Sequence, residues 1–158
     1  MELNRRFPME EQNGLYFTIV YGVLNLESLE FQFVSAGHDP VIRFGKSGPP
    51  VVVEGEGMGI GWLDDEEYET QVIQLERGDR IYLYSDGVPE AMDRDMNQFG
   101  MQQMREMMEL GQSQSLDESV TLLLNTVKRW CGQKGPLDDV SILGLEVLDP
   151  AMETGETG

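Results

Sequence analysis

Two acidic corners carry the residues best suited to chemistry in this chain, Asp86-Gly87 and Asp138-Asp139. Carboxylates delivered to one place repel each other, and burial raises their pKa values unless a cation neutralises them. Oxygen donors without thiolates or several histidines favour Mg²⁺ or Mn²⁺ over zinc. Two such ions would clamp a phosphate and lower the pKa of a bound water enough to make it the nucleophile. The single cysteine, Cys131, excludes an intrachain disulfide and a thiolate cluster. The plain alternative for Asp86-Gly87 is a turn, because Asp-Gly is among the commonest turn dipeptides. Spacing alone leaves open whether the two corners meet.

The segment that must hold Asp86 runs Gly78-Asp79-Arg80-Ile81-Tyr82-Leu83-Tyr84-Ser85-Asp86-Gly87-Val88-Pro89-Glu90-Ala91. It reads as a tight turn, a strand covered on both faces, and an acidic corner that opens a helix. Asp138 stands at the entry to a closing strand, Val140 to Leu148. Before these, Leu15 to Leu26 reads as a buried strand and Phe31 to Ser35 as its hairpin partner. Val41 to Phe44, Val51 to Val53 and Glu69 to Leu75 are further strands. Gly55-Glu56-Gly57-Met58-Gly59-Ile60-Gly61 matches no phosphate-loop spacing and reads as a flexible connection.

After the acidic corner the period changes. Phe99, Met101, Met104 and Met108 mark an amphipathic helix whose methionines belong to the core. Ser115 with Glu118 forms a capping-box signature, followed on one helical face by Val120, Leu123, Leu124, Val127, Trp130 and Cys131. At the other end, Leu3 to Phe7 reads as the last turns of a helix stopped by Pro8. Strands in a run, then two helices, then one strand predict an α+β layered domain. A phospho-acceptor receiver would instead alternate strands and helices around a parallel sheet.

The 158 residues fit one domain with a real core. A formal charge of -18 argues against nucleic acid or an anionic membrane as partner and is compatible with cation binding. No apolar run approaches the roughly 20 residues that cross a bilayer. The start does not read as a secretory signal, and one cysteine fits a reducing compartment, so a cytoplasmic location is expected. The stretch from Asp149 to Gly158 is expected to be a disordered acidic tail.

Phe17-Thr18 with Tyr21-Gly22-Val23-Leu24-Asn25, Ser35-Ala36-Gly37-His38-Asp39-Pro40, the Gly78 to Ala91 segment, Phe99-Gly100 and Asp138-Asp139-Val140-Ser141 occur in that order. Together they resemble SpoIIE-type bacterial phosphatases of the metal-dependent, protein phosphatase 2C-like superfamily. The resemblance implies two antiparallel sheets packed as a sandwich with flanking helices. It also implies hydrolysis of phosphoserine or phosphothreonine with two Mn²⁺ or Mg²⁺ ions. The implied substrate is an anti-sigma factor antagonist in bacterial stress or sporulation signalling, with a sensor or regulatory domain upstream. Carried over by residue, Asp86 and Asp138 correspond to metal ligands, with Ser85 where the family has Thr. Gly87, Asp139 and His38 correspond to outer-shell or structural neighbours.

One departure stands out: the chain has no G-D-[YF]-[YF]-D motif, which in that family supplies the carboxylate bridging both ions. The expectation is therefore a partial phosphatase domain over residues 1–148 that lacks its N-terminal part and first metal motif. Such a fragment should be inactive on its own, and exposed apolar sheet surface could drive homodimerisation. The alternative is a non-catalytic regulatory or interaction module with a degenerate phosphatase fold.

Overall fold

The computed structural model describes residues 2–46 and 48–148; the expected tail at 149–158 lies outside the described residues. Among the described residues seven strands form two antiparallel sheets accompanied by helices, as the α+β reading expects. The chain divides into two compact units, Met1–Val41 with Val52–Glu76, and Ile42–Val51 with Arg77–Gly158.

In the first unit a short helix, α1 (Glu2–Arg6), stops before Pro8, as expected. Strands β1 (Ile19–Leu24), β2 (Glu30–Ala36) and β5 (Gln71–Gln74) form a sheet in the order β1-β2-β5. The β1–β2 hairpin pairs Ile19 with Ala36 and Leu24 with Phe31. Its turn is held by the Asn25 side chain, which accepts from the backbone N–H groups of Glu27 and Ser28. Phe31, Phe33 and Ile73 are buried from one face, with the two phenyl rings stacked 5.4 Å apart. The register puts Gly22 opposite Phe33, and a Cβ there would meet the Phe31 ring at 2.5 Å.

Two expectations fail in this unit. The run from Leu15 to Leu26 is not one buried strand: the strand spans Ile19–Leu24, and Tyr21 and Val23 in it are 65% and 57% exposed. The face of β1 that carries Tyr21 and Val23 is open to solvent, as one face of an antiparallel sheet commonly is, and an apolar run on both faces gives no sign of which side lacks cover. Nor is the Gly55–Gly61 segment a flexible connection. Gly37 donates to the Gly57 carbonyl, and the Phe17 and Ile60 backbones bond reciprocally at 3.2 and 2.7 Å. A Cβ on Gly37 would lie 2.6 Å from the Gly59 nitrogen, and one on Gly59 would lie 2.6 Å from the Tyr16 ring. The alternate glycines permit close backbone approach rather than mobility.

The other sheet has the order β4-β3-β6-β7, from β3 (Val41–Phe44), β4 (Val51–Val53), β6 (Arg80–Tyr84) and β7 (Ile142–Glu146). Strand β6 lies between β3 and β7, and Ile81, Tyr82 and Tyr84 are buried, so the covered central strand is observed. Helices α2 (Gly100–Gly111) and α3 (Leu116–Cys131) follow. Met104 and Met108 are buried, which makes the methionine stripe core. The capping box is present: Ser115 Oγ accepts from the Glu118 N–H while the Glu118 carboxylate accepts from the Ser115 N–H. Leu123, Val127 and Cys131 are buried along α3. Close approach of the helices is allowed by Gly111, where a Cβ would press into the Ser119 side chain. Ser119 Oγ in turn lies 2.9 Å from the Tyr82 hydroxyl.

The acidic corner does not open a helix. Asp86 to Glu90 forms consecutive turns, and α2 begins only at Gly100. Helix continuation would need the Pro89 carbonyl to accept from the residue four positions on. Instead it accepts from Gly100, while the Ala91 carbonyl accepts from Phe99, both at 2.8 Å.

Candidate functional site

The site is built where β6 ends and β7 approaches. Behind it the β6 entry is anchored by two buried charges that the sequence reading left without a role. Asp79 is 1% exposed, and its Oδ2 accepts from Arg43 Nε at 2.8 Å and Nη2 at 2.6 Å. Arg80 donates Nε to Glu146 Oε1 at 2.8 Å, Nη1 to the Gly111 carbonyl at 3.1 Å and Nη2 to the Gln114 carbonyl at 2.6 Å. It thus ties β7 to the C-terminal end of α2, where helix carbonyls lack intrahelical partners.

At the other end of β6 the two acidic corners meet. Ser85 N–H donates to the Ser141 carbonyl at 3.0 Å. Ser85 Oγ donates to the Asp139 carbonyl at 2.9 Å and accepts from the Ser141 N–H at 3.0 Å. Gly87 is buried, and a Cβ on it would press into the Asp139 carbonyl oxygen. Only glycine lets the Asp86 turn lie against the Asp138-Asp139 backbone so closely. The turn is seated from below by Val88 and Ala91, both buried. Further along the chain, Trp130 donates its indole N–H to the Asn97 carbonyl at 3.2 Å, just before α2.

The structure therefore brings Asp86, Gly87, Asp138 and Asp139 to one place. Asp86 and Asp138 are exposed. Asp138 Oδ1 accepts from the Asp139 N–H at 2.7 Å, which orients that carboxylate. His38 belongs to the first unit, where it is half-buried with Nδ1 3.2 Å from the Asp39 carbonyl. Ser85 is the member that the sequence names only as standing where the family has Thr, without a role. Its signal was a hydroxyl at the last position of an otherwise apolar strand face, directly before the acidic corner.

Two exposed carboxylates on adjoining, internally bonded loops fit a hard divalent ion in donor type. Mg²⁺ commonly takes one or two carboxylates and fills the remaining octahedral positions with water and substrate phosphate. They do not amount to a complete cage: among the described residues no group of three or more His, Cys, Asp or Glu side chains is placed to hold a metal.

Residues 1–148 match the family model of Stage II sporulation protein E (SpoIIE). The chain belongs to the SpoIIE family. It is 33% identical over 89 residues to phosphoserine phosphatase RsbU of Bacillus subtilis, a match covering 56% of this chain and 27% of RsbU. Its backbone is similar to the phosphatase domain of the cell-fate determinant SpoIIE from Bacillus subtilis. There the TM-score is 0.62 at 18% identity, covering 84% of this chain and 59% of that one. The catalytic domain of the serine/threonine phosphatase PstP, solved in complex with two manganese ions, gives a TM-score of 0.63 at 14% identity. That match covers 94% of this chain and 66% of PstP's. The chain thus spans about a quarter of the length of RsbU and under two thirds of the SpoIIE phosphatase domain. These likenesses agree with the two-sheet α+β fold. Among the described residues no helix is long and apolar enough to cross a membrane.

Proposed function

We propose that this chain forms the Asp86/Asp138 part of a metal-dependent protein phosphatase domain acting on phosphoserine or phosphothreonine. The observation that carries this reading is the junction of the Asp86-Gly87 turn with the Asp138-Asp139 loop through Ser85 and Gly87. Family membership and the RsbU and PstP likenesses support the reaction class. When bound, Mn²⁺ or Mg²⁺ would neutralise phosphate charge and activate water. Asp86 and Asp138 are the residues that would hold it. Gly87 gives the backbone room, Asp139 supplies the carbonyl that fastens the corner, and His38 is assigned a structural role in its own turn.

The substrate class is a phosphorylated anti-sigma factor antagonist, with an upstream sensor domain as regulatory partner, on the strength of the family resemblance. Residues 1–148 by themselves hold metal weakly and hydrolyse little, because the G-D-[YF]-[YF]-D carboxylate is not among them. Self-association would use the exposed β1 and β5 side chains Tyr21, Val23 and Val72, which share one face of their sheet. A clean monomer by light scattering at high concentration refutes that part.

The test is Mn²⁺-dependent hydrolysis of a phosphoserine peptide by the full gene product, with and without Asp86→Asn. The reading expects a rate loss of about two orders of magnitude or more; unchanged turnover contradicts it. The absence of a third suitably placed acidic group among the described residues favours one other reading, a non-catalytic regulatory module on the same fold. That module would show no Mn²⁺-dependent turnover in the full gene product.

A further inference from the structure

We infer that Ser85 is the positioning residue of the site: its hydroxyl and its peptide N–H set the spacing of the two carboxylate corners, so that Asp86 and Asp138 address one ion. The inference rests on the metal-dependent reading above. Asp86 leaves the end of β6 and Asp138 precedes β7, and the β6–β7 ladder itself ends at the Tyr84–Ile142 pair. Beyond that pair no regular sheet pairing controls the separation of the loops. Ser85 takes over. Its N–H bonds the Ser141 carbonyl, its Oγ accepts from the Ser141 N–H, and the same Oγ donates to the Asp139 carbonyl. One residue thus satisfies three backbone groups of the opposite loop, using both the donor and the acceptor capacity of its hydroxyl.

The consequence is chemical. Two exposed carboxylates repel each other, and without a fastening the loops would separate to relieve that repulsion. Gly87 prevents them from being held apart by a side chain, but it supplies no attraction. Ser85 does, one position away from the carboxylate that it positions. The hydroxyl itself is committed to two protein partners, so its role is orientation of Asp86 and Asp138 rather than ligation. Groups that orient metal ligands commonly alter metal affinity 10–100-fold when removed, roughly the range expected here.

The experiment is a Mn²⁺ titration of the full gene product, read by electron paramagnetic resonance, for the unmodified protein and for Ser85→Ala, Ser85→Thr, Ser85→Cys and Asp86→Asn. Ser85→Ala should weaken Mn²⁺ binding about ten-fold or more. Ser85→Thr, which keeps the hydroxyl, should restore it. Unchanged affinity in Ser85→Ala together with loss in Asp86→Asn overturns the inference and leaves the metal site standing. Unchanged affinity in Asp86→Asn overturns the metal site and the inference with it. If Ser85→Ala does not fold, Ser85→Cys decides: it keeps a side chain of similar shape with weaker bonds, so intermediate affinity supports the role and unmodified affinity overturns it.

Discussion

Asp79 and Asp86 stand at the two ends of β6, and the same side chain does opposite things there. Asp79 is buried and bound by the Arg43 guanidinium through Nε and Nη2. Asp86 is exposed, on a turn held against a second acidic loop. A buried carboxylate with a cation already bonded to it is committed to the fold. An exposed carboxylate beside a second acidic corner is available to a cation from solution. Residue type therefore does not mark the functional end of the strand; the state of its partners does.

The comparison is broken most forcefully by one substitution applied at both ends. Asp79→Asn leaves Arg43 without its carboxylate and should cost about 3 kcal/mol. Asp86→Asn should change stability by no more than about 0.5 kcal/mol. Urea denaturation of the two variants measures both, and equal losses would erase the distinction. Gly87→Ala comes next: its methyl presses into the Asp139 carbonyl and forces the loops apart. An overpacking loss of about 1–3 kcal/mol is expected, with weaker Mn²⁺ binding, whereas an unaffected variant would mean that the corners do not touch.

A smaller effect lies remote from the site. Ser115→Ala removes the N-cap of α3 and should cost about 1 kcal/mol by thermal denaturation. Its capping partner also gives a pH signature. The Ser115 side-chain and backbone hydrogen bonds hold the Glu118 carboxyl below its ordinary value of 4.5. Its contribution is therefore fully present above pH 4.5 and is lost as pH falls through the lower folded value. Glu118→Gln should shrink the acid-side fall in stability and leave its slope near neutrality unchanged.

What could be read in the chain follows from the range of the interactions. Helix α3 was legible because a capping box and an apolar face are local signals. Strand β6 was legible because both its faces are apolar. The turn after Asp86 was misread as a helix because the bonds that divert it come from Phe99 and Gly100. The Gly55–Gly61 segment was misread because its glycines matter only when Gly37 and Tyr16 are seen against them. Asp86 and Asp138 were candidates by residue type and resemblance. Their junction depends on Ser85 bonds spanning 54 and 56 positions, which no local pattern contains.

The central claim is that the exposed end of β6, and not the buried one, holds a divalent ion with Asp138. Mn²⁺ titration of the full gene product, monitored by electron paramagnetic resonance, tests it directly on Asp79→Asn, Asp86→Asn and Asp138→Asn. The account predicts that Asp86→Asn and Asp138→Asn each lose at least about ten-fold in affinity, while folded Asp79→Asn binds as the unmodified chain does. Unmodified binding in both Asp86→Asn and Asp138→Asn would contradict it.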